Sequence, residues 1–377
     1  MTEQPRNEAT RAEAGGAPGP WAAPRFQVPA TPRAIGRRVL QITASLGLAA
    51  ALLGWGLPYL THTSWETIIG IVTGIGWPTF FVLLGLMFLG LYAYTFTLTG
   101  SLPGLRHSQA LLANLAGSAV SNVLPGGGAV GAVLTYGMFR SWRFSHRRIG
   151  TSIVVTSVWN ILARVLLPVL AALVLIPETE KVPAAMIKGA IVGGAGAGLV
   201  AAALLAVIAS RRAARWVGHM VNRVIGPMQR ARRETQPRQD IAELALDLRD
   251  KTLDIARHRW LPLSFGIVGF MGIYFILFRQ CLEAVGAHMS WGHAFAAYAV
   301  GRLLTAVSVT PGGIGVAEAG AAAVMLALGV PGDVTAAAVT LFALFSFLLE
   351  IPFGAVSAIV WMATRERYLR LGPPGQG

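Results

Sequence analysis

The sequence predicts an all-α integral membrane protein of about six full transmembrane helices plus two re-entrant helical hairpins in an inverted repeat. Three observations predict it. Of 377 residues, 54% are hydrophobic and only 13% charged, well below the roughly one quarter charged of a soluble domain. The basic residues behind the formal charge of +14 cluster between apolar runs. Two of the apolar segments are broken in the middle, at Pro125-Gly126-Gly127 and at Pro311-Gly312-Gly313.

Taken in order, residues 1–34 are rich in Ala, Pro, Gly and charge. They lack the large apolar groups needed to offset chain entropy, and are predicted as a disordered cytoplasmic N-terminus. A membrane domain follows over 35–364, with a first half (35–210), a cytoplasmic amphipathic connector (211–259) and a second half (260–364), before a cytoplasmic tail (365–377). With about 20 apolar residues per crossing, full spans fall near 37–60, 77–100, 149–176, 185–209, 260–282 and 334–363. The first is too long for a secretory signal and lacks a small-residue cleavage site. In the connector, Trp216, Met220, Val224 and Met228 form one helical stripe and Ile241, Leu244 and Leu248 another. This predicts interfacial helices drawn to anionic inner-leaflet lipids; a solvated connector is the alternative.

The broken segments, 107–140 and 292–329, are the hairpins. The legs of the first are about 18 and 14 residues, so the second leg reaches about 21 Å against about 30 Å of hydrocarbon. Broken backbone at membrane depth is tolerated only where protein or water satisfies its free polar groups, so each tip is buried or lines a cavity. With the N-terminus inside, the cytoplasmic segments hold 26 of the 31 basic residues, which obeys the positive-inside rule. Three spans separate the hairpins, so they enter from opposite faces. Charge alone also allows ten crossings; leg length favours the hairpins. Inverted repeats with broken helices meeting near the midplane are the architecture of secondary transporters.

Ionisable groups at membrane depth are costly unless paired. Arg164 lies mid-span, Arg302 nine residues before Pro311, Glu318 just after the second tip and Glu350 within the last span. These four are expected to neutralise one another, either as buried pairs that fix helix register or around a ligand. Freed amides at the tips (Pro311, Gly312, Gly313; Pro125, Gly126, Gly127) add positive potential, and an arginine beside them suits a phosphate. Asn122 joins the predicted substrate-binding set; Asn114 and Asn160 are expected to hydrogen-bond between helices. Trp55, Trp65, Trp77 and Trp291 are interfacial anchors. The distribution of basic residues argues against nucleic acid. The single cysteine, Cys281, has no ligand-spaced neighbours, and no metal, cofactor or catalytic residue is predicted. Walker and H-E-x-x-H motifs do not occur.

Together with "WNILARVLLPVLAALVL" and the closing "LFALFSFLLEIPFGAVSAIVWMATR", the two tips resemble the lysylphosphatidylglycerol synthase transmembrane-region family, a flippase-like domain, over about 37–364. "TPGGIGVAEAG" resembles its Pro-x-Gly-x-Gly-x-x-Glu signature, and Arg302 matches its position. The resemblance implies a lipid-translocating or lipid-binding membrane domain. The few residues after 334–363 imply a stand-alone form without an aminoacyl-transferase domain, which leaves phospholipids and polyprenyl-phosphate-linked glycans open as substrates.

The reading reached is a flippase of the bacterial cytoplasmic membrane, with both termini cytoplasmic, that moves an anionic phospholipid or polyprenyl-phosphate-linked lipid between leaflets. It is not expected to be an enzyme, and a homo-oligomer is compatible with it. The alternatives are an integral-membrane enzyme using Glu318 and Glu350 as acid and base, and a non-catalytic partner of a cytoplasmic enzyme through 211–259.

Overall fold

The structure, a computed structural model, describes residues 54–55, 57–124, 127–175, 241–305 and 310–370, with scattered positions between 196 and 220. The described residues hold no strand. Eleven helices are used here: α1 Leu57–Thr61, α2 Trp65–Thr73, α3 Trp77–Ser101, α4 His107–Val123, α5 Gly127–Ser141, α6 His146–Leu175, α7 Ile241–Ala284, α8 Trp291–Leu304, α9 Val316–Ala327, α10 Gly332–Ala343 and α11 Glu350–Arg370.

Local chemistry sets several of the boundaries. The Ser64 hydroxyl accepts the Thr67 N–H at 3.3 Å to start α2, and the Ser290 hydroxyl accepts the His293 N–H at 3.2 Å to start α8, each satisfying a donor orphaned at a helix start. Proline in the first turn of α3 needs no hydrogen-bond partner there. Helix α7 kinks at Arg259 (φ −133°, ψ 22°), where the ring of Pro262 crowds the preceding turn. The helix before the kink carries the stripe predicted for the end of the connector. Between α10 and α11 the chain takes a π-helical turn at Leu344–Leu348.

Among the described residues four helices are long and apolar enough to cross a membrane: Trp77–Ser101, His146–Leu175, Arg257–Ala284 and Gly332–Thr364. They fall on the predicted spans 77–100, 149–176, 260–282 and 334–363. The predicted span 37–60 lies outside the described residues except at its end, where Leu57–Thr61 is helical. Most of span 185–209 and of 211–240, and the terminal segments 1–34 and 371–377, also lie outside them. Large apolar side chains stand exposed along the four long helices, among them Phe81, Leu170, Leu173, Phe265, Val268 and Ile359. Such a surface is stable only against lipid or another protein.

Each broken segment folds as a helical hairpin. In the first, Gly117 faces Thr135 and Gly131 faces Ser121; in the second, Thr305 faces Gly313, Gly301 faces Ala317 and Val300 faces Gly320. These pairings run antiparallel, and the small residues let the legs approach closely, as helices do in lipid where van der Waals contact replaces the hydrophobic effect.

A long helix, a broken hairpin and a second long helix thus occur in the same order twice. The packing between the two sets is reciprocal: α3 packs on the membrane part of α7, α4 on α11, and α8 on α6. Helices α3 and α7 run in opposite directions, since a methyl on Gly90 would lie 2.6 Å from the Tyr274 ring while Gly100 abuts Pro262. Gly266 is the tightest point of this seam. A Cβ there would lie 2.4 Å from both Thr97 N and Thr97 Oγ1, so Gly266→Val is expected to cost about 1–3 kcal/mol by forcing the helices apart, read as a lower midpoint in a detergent unfolding titration.

Candidate functional site

The second tip explains the spacing of its own motif. Pro311 opens a 3₁₀ turn, Pro311–Gly313, and Gly312, Gly313 and Gly315 adopt φ of 62°, 78° and 86°. Side chains rarely tolerate this left-handed region, so glycine is needed at each position. Three residues into α9, Glu318 Oε2 accepts the Gly315 N–H at 2.6 Å, the acidic half of a capping box. Glu318 is 3% exposed and its carboxylate is engaged by the backbone of the tip. A Cβ on Gly313 would lie 2.9 Å from Thr305 Cα. Gly313→Ala therefore combines a strained φ with a backbone clash, and an expected loss of about 2 kcal/mol or more should appear as a lower melting temperature of the purified protein.

At the first tip, α4 ends at Val123 and Leu124 turns extended (φ −101°, ψ 138°), as the residue before a proline must. Pro125 and Gly126 lie outside the described residues; Gly127 is the first residue of α5.

The two tips meet. A Cβ on Gly312 would stand 2.7 Å from Asn122 Oδ1 and 3.4 Å from Asn122 Cα, so the absence of a side chain lets the second tip rest on the end of α4. Beside this contact opens a cleft of about 370 Å³, walled by both hairpins and by α3, α6, α7 and the start of α11. Arg164, Arg302, Glu350, Asn122 and Gly312 line it. Glu318 does not; it lines a smaller void of about 20 Å³ on the other side of Arg302.

Arg302 is 7% exposed. Its guanidinium carbon sits 4.8 Å from the ring centre of Tyr274, 5.4 Å from those of Tyr298 and Phe342, and 5.7 Å from that of Phe270. This aromatic enclosure favours a cation and fixes the direction of its fork. Its Nε donates to Tyr298 Oη at 3.3 Å, while Nη2 has no partner among the described residues. Arg164 reaches the same cleft from α6, its Nε also unpartnered, and the two guanidiniums repel each other electrostatically. Beside Arg164, Asn160 donates to Tyr94 Oη at 2.6 Å, tying α6 to α3 as expected of an intramembrane amide.

Glu350, 5% exposed, accepts from Tyr274 Oη at 2.7 Å and from Asn122 Nδ2 at 3.4 Å. The expectation that the two arginines and two glutamates neutralise one another directly needs correction: among the described residues, none of the four forms an ion pair within 4.0 Å. Tyr274 is the reason. It stands between Arg302 and Glu350, presenting its ring face to the cation and its hydroxyl to the carboxylate. The arrangement leaves guanidinium N–H groups free for a ligand instead of spending them on a protein carboxylate.

Sequence reasoning missed Tyr274, Tyr94 and the aromatic enclosure. A tyrosine in mid-span needs a partner for its hydroxyl, which was a usable signal for Tyr274; nothing in the order of residues pointed to Phe270 and Phe342 facing one arginine.

Residues 42–354 match the family model described as the lysylphosphatidylglycerol synthase TM region. A comparison with curated proteins gave no match.

Proposed function

The chain belongs to the lysylphosphatidylglycerol synthase transmembrane-region family, and from that premise and the cleft we propose that it moves an anionic lipid between the leaflets of a bacterial cytoplasmic membrane. The observation that carries this reading is the cleft beside the contact of the second tip with the end of α4, into which Arg302 and Arg164 present N–H groups unpartnered among the described residues. A phosphate oxygen is the natural acceptor for such groups. The head group enters the cleft with its phosphate on Arg302, assisted by Arg164, while the acyl or prenyl tails stay in the surrounding lipid.

Six spans, counting 37–60 and 185–209, and two re-entrant hairpins complete the proposed topology, with both termini cytoplasmic. The hairpin legs support it: at 17, 15, 14 and 12 residues each falls short of the roughly 20 that cross a bilayer. The opposite directions of α3 and α7, and the reciprocal packing of each hairpin on the other half, support an inverted repeat, in which the two halves rock about a site held between them. The basic connector rests on anionic inner-leaflet lipid.

The test is a sidedness assay in vesicles of phosphatidylcholine with a trace of head-group-labelled phosphatidylglycerol or of a labelled polyprenyl phosphate. Protein-dependent loss of inner-leaflet label to an impermeant quencher is expected. Movement no faster than in protein-free vesicles for both lipids would overturn the proposal, and conversion of the label to a new product without movement would replace it with an enzymatic role.

A further inference from the structure

Resting on this lipid-binding reading, we infer that the lipid held in the cleft is a phosphodiester whose remaining head group is neutral and hydroxylated, a glycerol or a sugar, and not a cationic aminoacyl ester. Four buried polar atoms on its lining have no partner among the described residues: Asn114 Nδ2, Arg164 Nε, Arg302 Nη2 and Thr310 Oγ1. The first three can only donate and the fourth can donate as well. A buried donor left unpaired is costly, so this set calls for acceptors on the ligand. Phosphate and hydroxyl oxygens are acceptors; an ammonium group is not.

Charge on the lining points the same way. Among the described residues Glu350 is the single carboxylate that faces the cleft, against two guanidiniums, and both of its oxygens already accept from Tyr274 and Asn122. Glu318 is engaged with the Gly315 N–H. The neighbouring positions Pro125, Gly126 and 306–309 are non-ionisable in sequence, so they add no charge to either tip. A lysyl ester brings two ammonium groups with its one phosphate, and neither would find a free carboxylate here; burying an unpaired cation beside like charge is strongly unfavourable. A hydroxylated head group instead meets Ser157, Ser118 and Thr156 on the same lining; Thr156 already donates to the Ser152 carbonyl and Ser118 to Glu350, and their oxygens keep lone pairs that accept from a ligand hydroxyl. The family's namesake lipid is thus the one this lining disfavours.

Native mass spectrometry of the detergent-solubilised protein, offered equal amounts of phosphatidylglycerol, lysyl-phosphatidylglycerol and a glycosyl polyprenyl phosphate, tests the inference by binding alone. Retention of at least one neutral-headed lipid over the lysyl lipid by about tenfold or more is expected. Preference for phosphatidylglycerol identifies a glycerophospholipid as the source of the head group, and preference for the glycosyl lipid identifies a glycan carrier. Retention of the lysyl lipid equal to or above both others overturns the inference, and the vesicle assay then decides separately whether lipid transport stands. Asn114→Asp, which replaces an unpaired donor by a carboxylate, is expected to narrow the preference about tenfold; an unchanged ratio would remove this wall from the head-group site.

Discussion

Arg302→Met is expected to slow lipid movement by about ten- to a hundredfold, the loss of a charge-assisted hydrogen bond of about 1.5–3 kcal/mol. Methionine is the informative replacement because its length and polarizability let it fill the space among Phe270, Tyr274, Tyr298 and Phe342, so that the charge is removed with little damage to packing. Arg302→Lys keeps a cation but loses the planar fork and its stacking on the rings, and should fall between the two. The measurement is the initial rate in the vesicle sidedness assay, normalised to reconstituted folded protein. A wild-type rate for Arg302→Met would exclude the guanidinium from head-group binding, whatever the lipid.

Glu350→Ala should have the largest effect on stability, about 3–5 kcal/mol. The carboxylate joins three helices, since it projects from α11 and accepts from Tyr274 on α7 and from Asn122 on α4. Removing it strands the buried Tyr274 hydroxyl, leaves Asn122 Nδ2 only the Phe347 carbonyl and takes a negative charge from the surroundings of Arg302, while Asn122 is also the residue on which the second tip rests. Glu350→Gln retains an acceptor oxygen and should cost markedly less. Thermal unfolding in detergent, followed by tryptophan fluorescence, checks the ranking; equal midpoints for Glu350→Ala and the wild-type protein would show that the three-helix junction contributes nothing to the fold.

Both effects converge on the contact between the second interruption and the end of α4. A chain that must bring polar groups to the middle of a bilayer has few ways to do so, because unsatisfied backbone is excluded from lipid. Here the broken backbone of the second hairpin is set against the first leg of the other. Gly312 against Asn122 is where that happens, and the cleft beside it is what the close approach leaves open.

Much of this was legible in the sequence. The Pro-Gly-Gly interruptions and the four long apolar runs are local properties of the chain, and the helices found there follow from residue type over a window of one crossing. Arg164, Arg302 and Glu350 stood out because an ionisable group in an apolar run is expensive wherever it points. The duty of Glu318 was less evident. Its distance from Pro311 suggested a ligand group, whereas the backbone it caps is visible only once the three left-handed glycines are in place.

Composition and the order of residues by themselves determined that this is a helical membrane protein with two broken segments and a few charges at depth, because hydropathy, helix breaking and desolvation cost act over neighbouring residues. Only the tertiary structure decided that the second break rests on the end of α4 at Asn122, that Tyr274 separates Arg302 from Glu350, and that the unpaired donors of Asn114, Arg164, Arg302 and Thr310 open onto one space. Those facts depend on the rotation of each helix about its axis and on which helices become neighbours, and packing between residues far apart in the chain sets both.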